Sequence, residues 1–202
     1  LNIWKDYSGG HKVKEFIISI LRESADLKLK FAKGSYDSII QAKEIIEKCF
    51  KSGGKVLIFG NGGSAADAQH IASEFINKYS IDRRPLPAIA LNTDGSIITS
   101  ISNDNSYEQV FSRQILALGQ KNDLAWGITT SGKSKNVIKG LETANEMGLK
   151  TIAFTGQTAP KIKKIANCVV SVPSKSTGRI QEVHITTAHI ICELIDKSFE
   201  KK

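Results

Sequence analysis

The sequence predicts an α/β fold: a doubly wound, parallel sheet of about five strands with helices on both faces, preceded by a helical arm. Three observations predict it. Five short, nearly continuous apolar runs recur along the chain: KVLIF (55–59), PAIAL (87–91), DLAWGI (123–128), KTIAFT (150–155) and CVVSV (168–172). Runs of that kind fit strands buried on both faces, as parallel strands are. Between them lie segments with apolar residues at three- and four-residue spacings, and strands alternating with helices argue for a doubly wound sheet. Finally, each run is followed by a segment rich in Gly, Ser or Thr, where ligands bind in such sheets.

The elements follow in order. Residues 11–33 read as a helix, with Val13, Phe16, Ile17, Ile20 and Leu21 on a helical period. A second helix fits 36–51, where Ile39, Ala42, Ile46 and Phe50 share a face and Gly53-Gly54 ends it. Further helices are expected at 65–79, 107–118, 134–147 and 160–165, and a long one at 179–200 closes the chain. The 202 residues then make one domain, with leading helices over 1–52 and an α/β core with its closing helix over 53–202. The leading helices are expected to pack on the sheet or on another subunit.

Composition narrows the function classes. Formal charge is +8, from 28 Lys and Arg against 20 Asp and Glu, but the lysines are scattered. The densest run, KIKK at 161–164, is short and has no interleaved aromatics. That argues for solvated faces and attraction to small anions, not for a nucleic-acid or membrane surface. No apolar run approaches the ~20 residues of a membrane span. LNIWKDYSGGHK has no apolar stretch of the secretory kind, so a cytoplasmic protein is expected. Cys49, Cys168 and Cys192 are odd in number and far apart, which suits buried free thiols.

The post-strand segments are GNGGS (60–64), NTDGS (92–96), TTSGKS (129–134), TGQT (155–158) and PSKSTGR (173–179). Their hydroxyls and glycines favour a phosphorylated or polyhydroxylated ligand. Gly127 to Ser134, GITTSGKS, matches the nucleotide P-loop pattern, with Lys133 on the outer phosphates and Ser134 on magnesium. The loop comes late in the sheet for that role, and Asp94, the candidate magnesium partner, lies in a glycine-containing turn. A monophosphate pocket fits better: Thr129, Thr130, Ser131 and Ser134 can converge on one tetrahedral group at a helix N-terminus, which offers unpaired N–H groups and a positive dipole end. A plain helix cap needs only one of these four hydroxyls. GNGGS repeats the arrangement with Asn61, Gly62, Gly63 and Ser64, where glycine lets a ligand approach the backbone. It lacks the spacing of a dinucleotide fingerprint.

His70 and Glu74 stand four residues apart, on one face of the 65–79 helix. The closing helix holds Gln181, Glu182, His184 and His189 within RIQEVHITTAH. Two helices each offering an imidazole and an oxygen donor suit zinc or a similar divalent ion. Without a metal, Glu74 and a histidine still form an acid–base pair. Gln181 can share a face with His184 or with His189, and spacing alone does not choose between the two histidines.

Together these residues carry a resemblance. GNGGS runs into DAQHIASE, Asn103-Asp104 follows, then GITTSGKS, then RIQEVHITTAH. In that order they resemble the phosphoheptose isomerases of the flavodoxin-like sugar isomerase (SIS) fold over nearly the whole chain. The resemblance implies conversion of sedoheptulose 7-phosphate to D-glycero-D-manno-heptose 7-phosphate through an enediol. It implies one zinc per subunit on His70, Glu74, Gln181 and His189, with Glu74 and His189 as the proton-transfer pair. Asn61, Gly62, Gly63, Ser64, Glu74, Asn103, Asp104, Thr129, Thr130, Ser131, Ser134 and Gln181 match substrate-binding positions. A homotetramer with active sites at subunit interfaces is implied as well. The chain departs at Thr129, where Ser is frequent, and at SKSTG before Arg179, which lacks an Asp that some members carry. A second branch of the fold consists of regulators that bind a replication initiator. In that branch the groups matching Glu74 and His189 tend to be replaced; both are present here.

Overall fold

A computed structural model describes residues 10–157 and 159–200. Residues 1–9, counted above with the leading helices, and Thr158 of the TGQT segment lie outside the described residues. The elements run α1 (Gly10–Lys51), β1 (Val56–Gly60), α2 (Gly63–Ile76), β2 (Ala88–Ala90), α3 (Gly95–Asp104), a 3₁₀ turn (Tyr107–Gln109), α4 (Val110–Leu118), β3 (Leu124–Thr129), α5 (Lys135–Glu146), β4 (Lys150–Thr155), α6 (Pro160–Ile165), β5 (Cys168–Ser171) and α7 (Thr177–Ser198).

All five strands are parallel, in the order β2-β1-β3-β4-β5. Successive side chains point to opposite faces, so each strand feeds two cores. Val56, Ile58, Trp126, Ile128 and Phe154 pack under α1, α2 and α7; Leu57, Phe59, Ala125 and Ala153 pack under α4, α5 and α6. Covering both faces is what makes the strand sequences continuously apolar. The order reverses between β1 and β3: the chain leaves β1 towards β2 on one side, then returns to β3 on the other. The loops after β1 and β3 therefore diverge and leave a crevice at the carboxyl ends of these strands.

Two expectations are corrected. The helices 11–33 and 36–51 are one helix of 42 residues, α1. Gly34 inside it costs only ~1 kcal/mol, whereas Phe31 before it and Ala42 and Ile46 after it all bury in the same core, and Ser24 further back is buried with its hydroxyl on Glu182 of the last helix. Continuity of that face outweighs the glycine. The NTDGS segment is not only a loop: Asp94 caps α3, its carboxylate accepting the Ile97 N–H at 2.9 Å. Its apolar face is short: Ile98 and Ile101 are only partly buried against the second core and no α3 side chain is fully buried, so the helical period is weak. The Asp-Gly-Ser start was the available signal.

The three cysteines are free and buried. Burial raises their thiols, Cys49 to about 12 and Cys168 to about 11. Among the described residues no helix is long and apolar enough to cross a membrane.

Candidate active site

The crevice between β1 and β3 is a cleft of about 310 Å³. Its walls include Asn61, Gly62, Gly63 and Ser64 from the β1 loop, Thr129, Thr130 and Ser134 from the β3 loop, and Thr177 and Gln181 from α7. Gly62 sits at φ +55° and Gly132 at φ +65°, left-handed conformations that glycine adopts without strain. Each turns its loop sharply into the helix that follows.

Ser134 occupies the N-cap position of α5, but its side chain makes no cap bond. Its hydroxyl lies 2.9 Å from Thr129 Oγ1 instead, and Ser131 Oγ lies 3.5 Å from the same atom. The hydroxyl group is thus gathered at the helix start without being spent on it. Ser131 Oγ also accepts the Lys133 N–H at 3.2 Å. Three hydroxyls beside the free N–H groups of α5 make a place suited to a tetrahedral oxyanion.

Asn61 is held from two sides. Its Oδ1 accepts the Tyr107 hydroxyl at 2.9 Å and Asn136 Nδ2 at 2.8 Å, and its own Nδ2 donates to Asn136 Oδ1 at 2.9 Å. Sequence reading missed Asn136 and Tyr107: one is a buried helix residue, the other an exposed turn residue, and neither belongs to a motif. Asn103 and Asp104 end α3, bond each other at 2.9 Å, and do not line the cleft.

Farther along α2 and α7 stands the second group. His70 Nε2 lies 3.0 Å from Glu74 Oε1, as a four-residue helical spacing allows. His189 crosses from α7, its ring 4.9 Å from that of His70 at 73°. Ligand atoms of His70, Glu74 and His189 all lie within 4.8 Å of one another. His189 Nε2 is buried with no hydrogen-bond partner among the described residues. Desolvation lowers the His189 pKa, and His70 lowers it further, against the pull of Glu74. A neutral imidazole with an unspent nitrogen, a second imidazole and a carboxylate form a donor set suited to a divalent metal.

The choice between His184 and His189 is made by packing. His184 is 1% exposed, its Nε2 lies 3.2 Å from the Thr155 carbonyl, and its ring packs at a tilt against Phe154. It belongs to the core, and burial drops its pKa to about 4. Gln181 lies two turns before His189 on α7. Its amide lies against Gly63, where a Cβ would stand 2.4 Å from Nε2. From Gln181 to His189 is about 12 Å along α7, and from Gly63 to His70 about 10 Å along α2. Asp67, one turn before His70, was also missed: burial pushes its carboxyl up to about 6, against the influence of His70.

Comparison with known proteins agrees with this architecture. The SIS domain profile matches residues 21–156. A phosphoheptose isomerase of Aquifex aeolicus is 51% identical over 91% of this chain and 96% of its own length. Another, from Thermodesulfovibrio yellowstonii, is 47% identical over 92% of each. The solved structure of a phosphoheptose isomerase from Neisseria gonorrhoeae superposes with a TM-score of 0.86 at 39% identity, covering 92% of this chain and 99% of that one.

Proposed function

This chain belongs to the phosphoheptose isomerases of the SIS-domain family, and from that membership we infer how its residues interconvert sedoheptulose 7-phosphate and D-glycero-D-manno-heptose 7-phosphate. The observation that carries the reading is the convergence of His70, Glu74 and His189 some 10 Å along two parallel helices from a hydroxyl-lined cleft. One end receives a phosphate and the other performs proton chemistry, with an open-chain sugar between them.

Thr129, Thr130, Ser131 and Ser134 take the phosphate, with the α5 N–H groups behind them. Asn61, Gly62, Gly63, Ser64 and Gln181 face the sugar. Asn103 and Asp104 are assigned to the substrate as well, and in a single subunit they stand outside the cleft. Isomerisation of the ketose moves a proton from C1 to a base, and the C–H electron pair forms the C1=C2 bond. The C2 carbonyl oxygen gains a proton, giving the enediol. Return of a proton to C2, with loss of the O1 proton, gives the aldose. Glu74 works at carbon and His189 at oxygen. Each such partner contributes typically ~10²–10⁴ in rate.

His70, Glu74 and His189 are the residues that would hold zinc, which would supply Lewis-acid stabilisation of the charge developing on the two oxygens. For Gln181 to be a fourth donor, its side chain would have to leave Gly63 and reach towards His189. The active unit is a homotetramer whose neighbouring subunits complete each site. Support comes from α1, which leaves Ile17, Leu21, Leu29, Tyr36 and Ile40 at least 49% exposed, and from the His70 side chain, 46% exposed at the site itself. The chain acts as one SIS domain in the cytoplasm, where three unpaired thiols are at home.

The test is turnover of sedoheptulose 7-phosphate alongside a metal analysis of the purified protein. Conversion that a chelator abolishes and zinc restores is expected. Absence of turnover, combined with capture of a replication initiator, would replace the enzyme by the regulator.

A further inference from the structure

The two helices that carry the trio are joined by a buried ion pair that the chemistry above does not use. Arg83 and Asp196 side chains are both 0% exposed, with Nε 2.7 Å from Oδ1. Arg83 turns its other donors mainly on the carboxyl end of α2: Nη2 donates to the Glu74 carbonyl at 2.8 Å, and Nη1 to those of Phe75 at 2.8 Å and Asn77 at 3.1 Å, as well as to the Arg84 carbonyl at 3.0 Å. The second Asp196 oxygen accepts three consecutive N–H groups, from Tyr79 at 3.0 Å, Ser80 at 2.7 Å and Ile81 at 3.1 Å. The segment after α2 is thereby pinned to α7 two turns beyond His189. Its outcome is the position of Tyr79, whose ring lies on the His189 imidazole with centroids 5.1 Å apart at 31°.

That contact has a task to fill. The terminal torsion of a histidine is broad, so something must hold the ring. Metal-ligating histidines are usually held by a hydrogen bond to the other ring nitrogen. His189 has no ring hydrogen bond among the described residues, and Nε2 is buried without one. What flanks the ring is aromatic surface: His70 at a steep angle of 73° and Tyr79 at a shallower 31°. At 37% exposure Tyr79 is not itself a core residue.

We propose that Tyr79, anchored by the Arg83–Asp196 pair, is a positioning residue for His189: its ring stops the imidazole from turning away from His70 and Glu74. The proposal rests on the reading of His70, Glu74 and His189 as the reaction and metal centre.

The experiment compares wild type, Tyr79→Ala and Tyr79→Phe in zinc affinity, by competition with a chelating dye, and in steady-state kinetics with sedoheptulose 7-phosphate. Tyr79→Ala is expected to lose roughly ten- to a hundredfold in zinc affinity and in kcat, with KM within about twofold and the melting temperature nearly unchanged. Tyr79→Phe keeps the ring and stays near wild type in all four quantities. Wild-type zinc affinity and kcat in Tyr79→Ala would overturn the proposal. So would an equal loss in Tyr79→Phe, which would assign the effect to the hydroxyl, or a loss confined to KM. A wild-type protein that binds zinc without turnover removes the assigned reaction, and the zinc arm still decides on Tyr79. Failure of wild type in both arms removes the reading and this proposal together.

Discussion

Gly63→Ala reaches the cleft through a single methyl group. A Cβ at Gly63 would stand 2.4 Å from Gln181 Nε2 and 2.9 Å from its Cδ. Ordinary contact begins at 3.4 Å, so the amide must withdraw by 3.4 − 2.4 = 1.0 Å. The amide ends a flexible side chain and will move before the backbone does. Gly63 itself has no left-handed φ and opens α2, so alanine there suits the helix, by up to ~1 kcal/mol. The perturbation therefore separates geometry from stability. A misplacement of about 1 Å in a substrate-positioning group can cost ~10²-fold. Kinetics with sedoheptulose 7-phosphate should show kcat/KM falling about ten- to a hundredfold, while the melting temperature holds or rises by up to about 4 °C. Gln181→Ala should fall comparably, and the double variant should fall no further than Gln181→Ala alone, because both changes remove one contact. Unchanged kcat/KM in Gly63→Ala, or full additivity in the double variant, would refute the reasoning.

Other expectations follow from the same geometry. Glu74→Gln and His189→Ala should each lower kcat by ~10²–10⁴ with an unchanged circular dichroism spectrum; full activity in either would remove that residue from proton transfer. Ser134→Ala removes a hydroxyl that makes no cap bond. It should cost about ten- to a hundredfold in kcat/KM, the worth of one hydrogen bond to a charged group, with little change in melting temperature. A large stability loss would instead make Ser134 a structural cap. Stability should also depend on pH through His184. Its folded pKa, about 4, lies below the ordinary 6.5, so the unfolded chain takes up the proton first. Its contribution is complete above pH 6.5 and is lost as pH falls towards 4, on the order of 3 kcal/mol. Urea midpoints at pH 7.5, 5.5 and 4.5 measure the slope, which His184→Leu should flatten. An equally steep slope in that variant would assign it to other groups.

Much of the site was legible because its pieces are local. The glycine loops after β1 and β3, the hydroxyls of 129–134 and the four-residue step from His70 to Glu74 each need only one element and its period. The missed residues lack such a signature. Asn136 and Tyr107 matter through Asn61, which lies 75 and 46 positions away in the chain. Tyr79 matters through a buried carboxylate 117 positions on. The continuity of α1 across Gly34 was hidden because a propensity penalty near 1 kcal/mol was read without the packing that overrides it.

By itself, then, the sequence determined which segments are strands, which loops follow them, and which donors share a helix face, since backbone sterics and helical or strand period act over a few residues. Residue spacing left His184 and His189 equivalent, and the tertiary structure is what sets them apart: His189 lies beside His70 and Glu74, and His184 lies in the core. His184 and His189 are five residues apart, so they stand roughly 140° apart around α7 at 3.6 residues per turn. One must face the sheet and the other α2. Which does which depends on the rotation of α7 on the core, and that is set by Ile180, Val183, Ile191 and Ile195 packing against the strands and α1. The same rotation lays Gln181 on Gly63 and brings His189 to His70 and Glu74, because a packed interface admits one rotation of a helix where its sequence admits several.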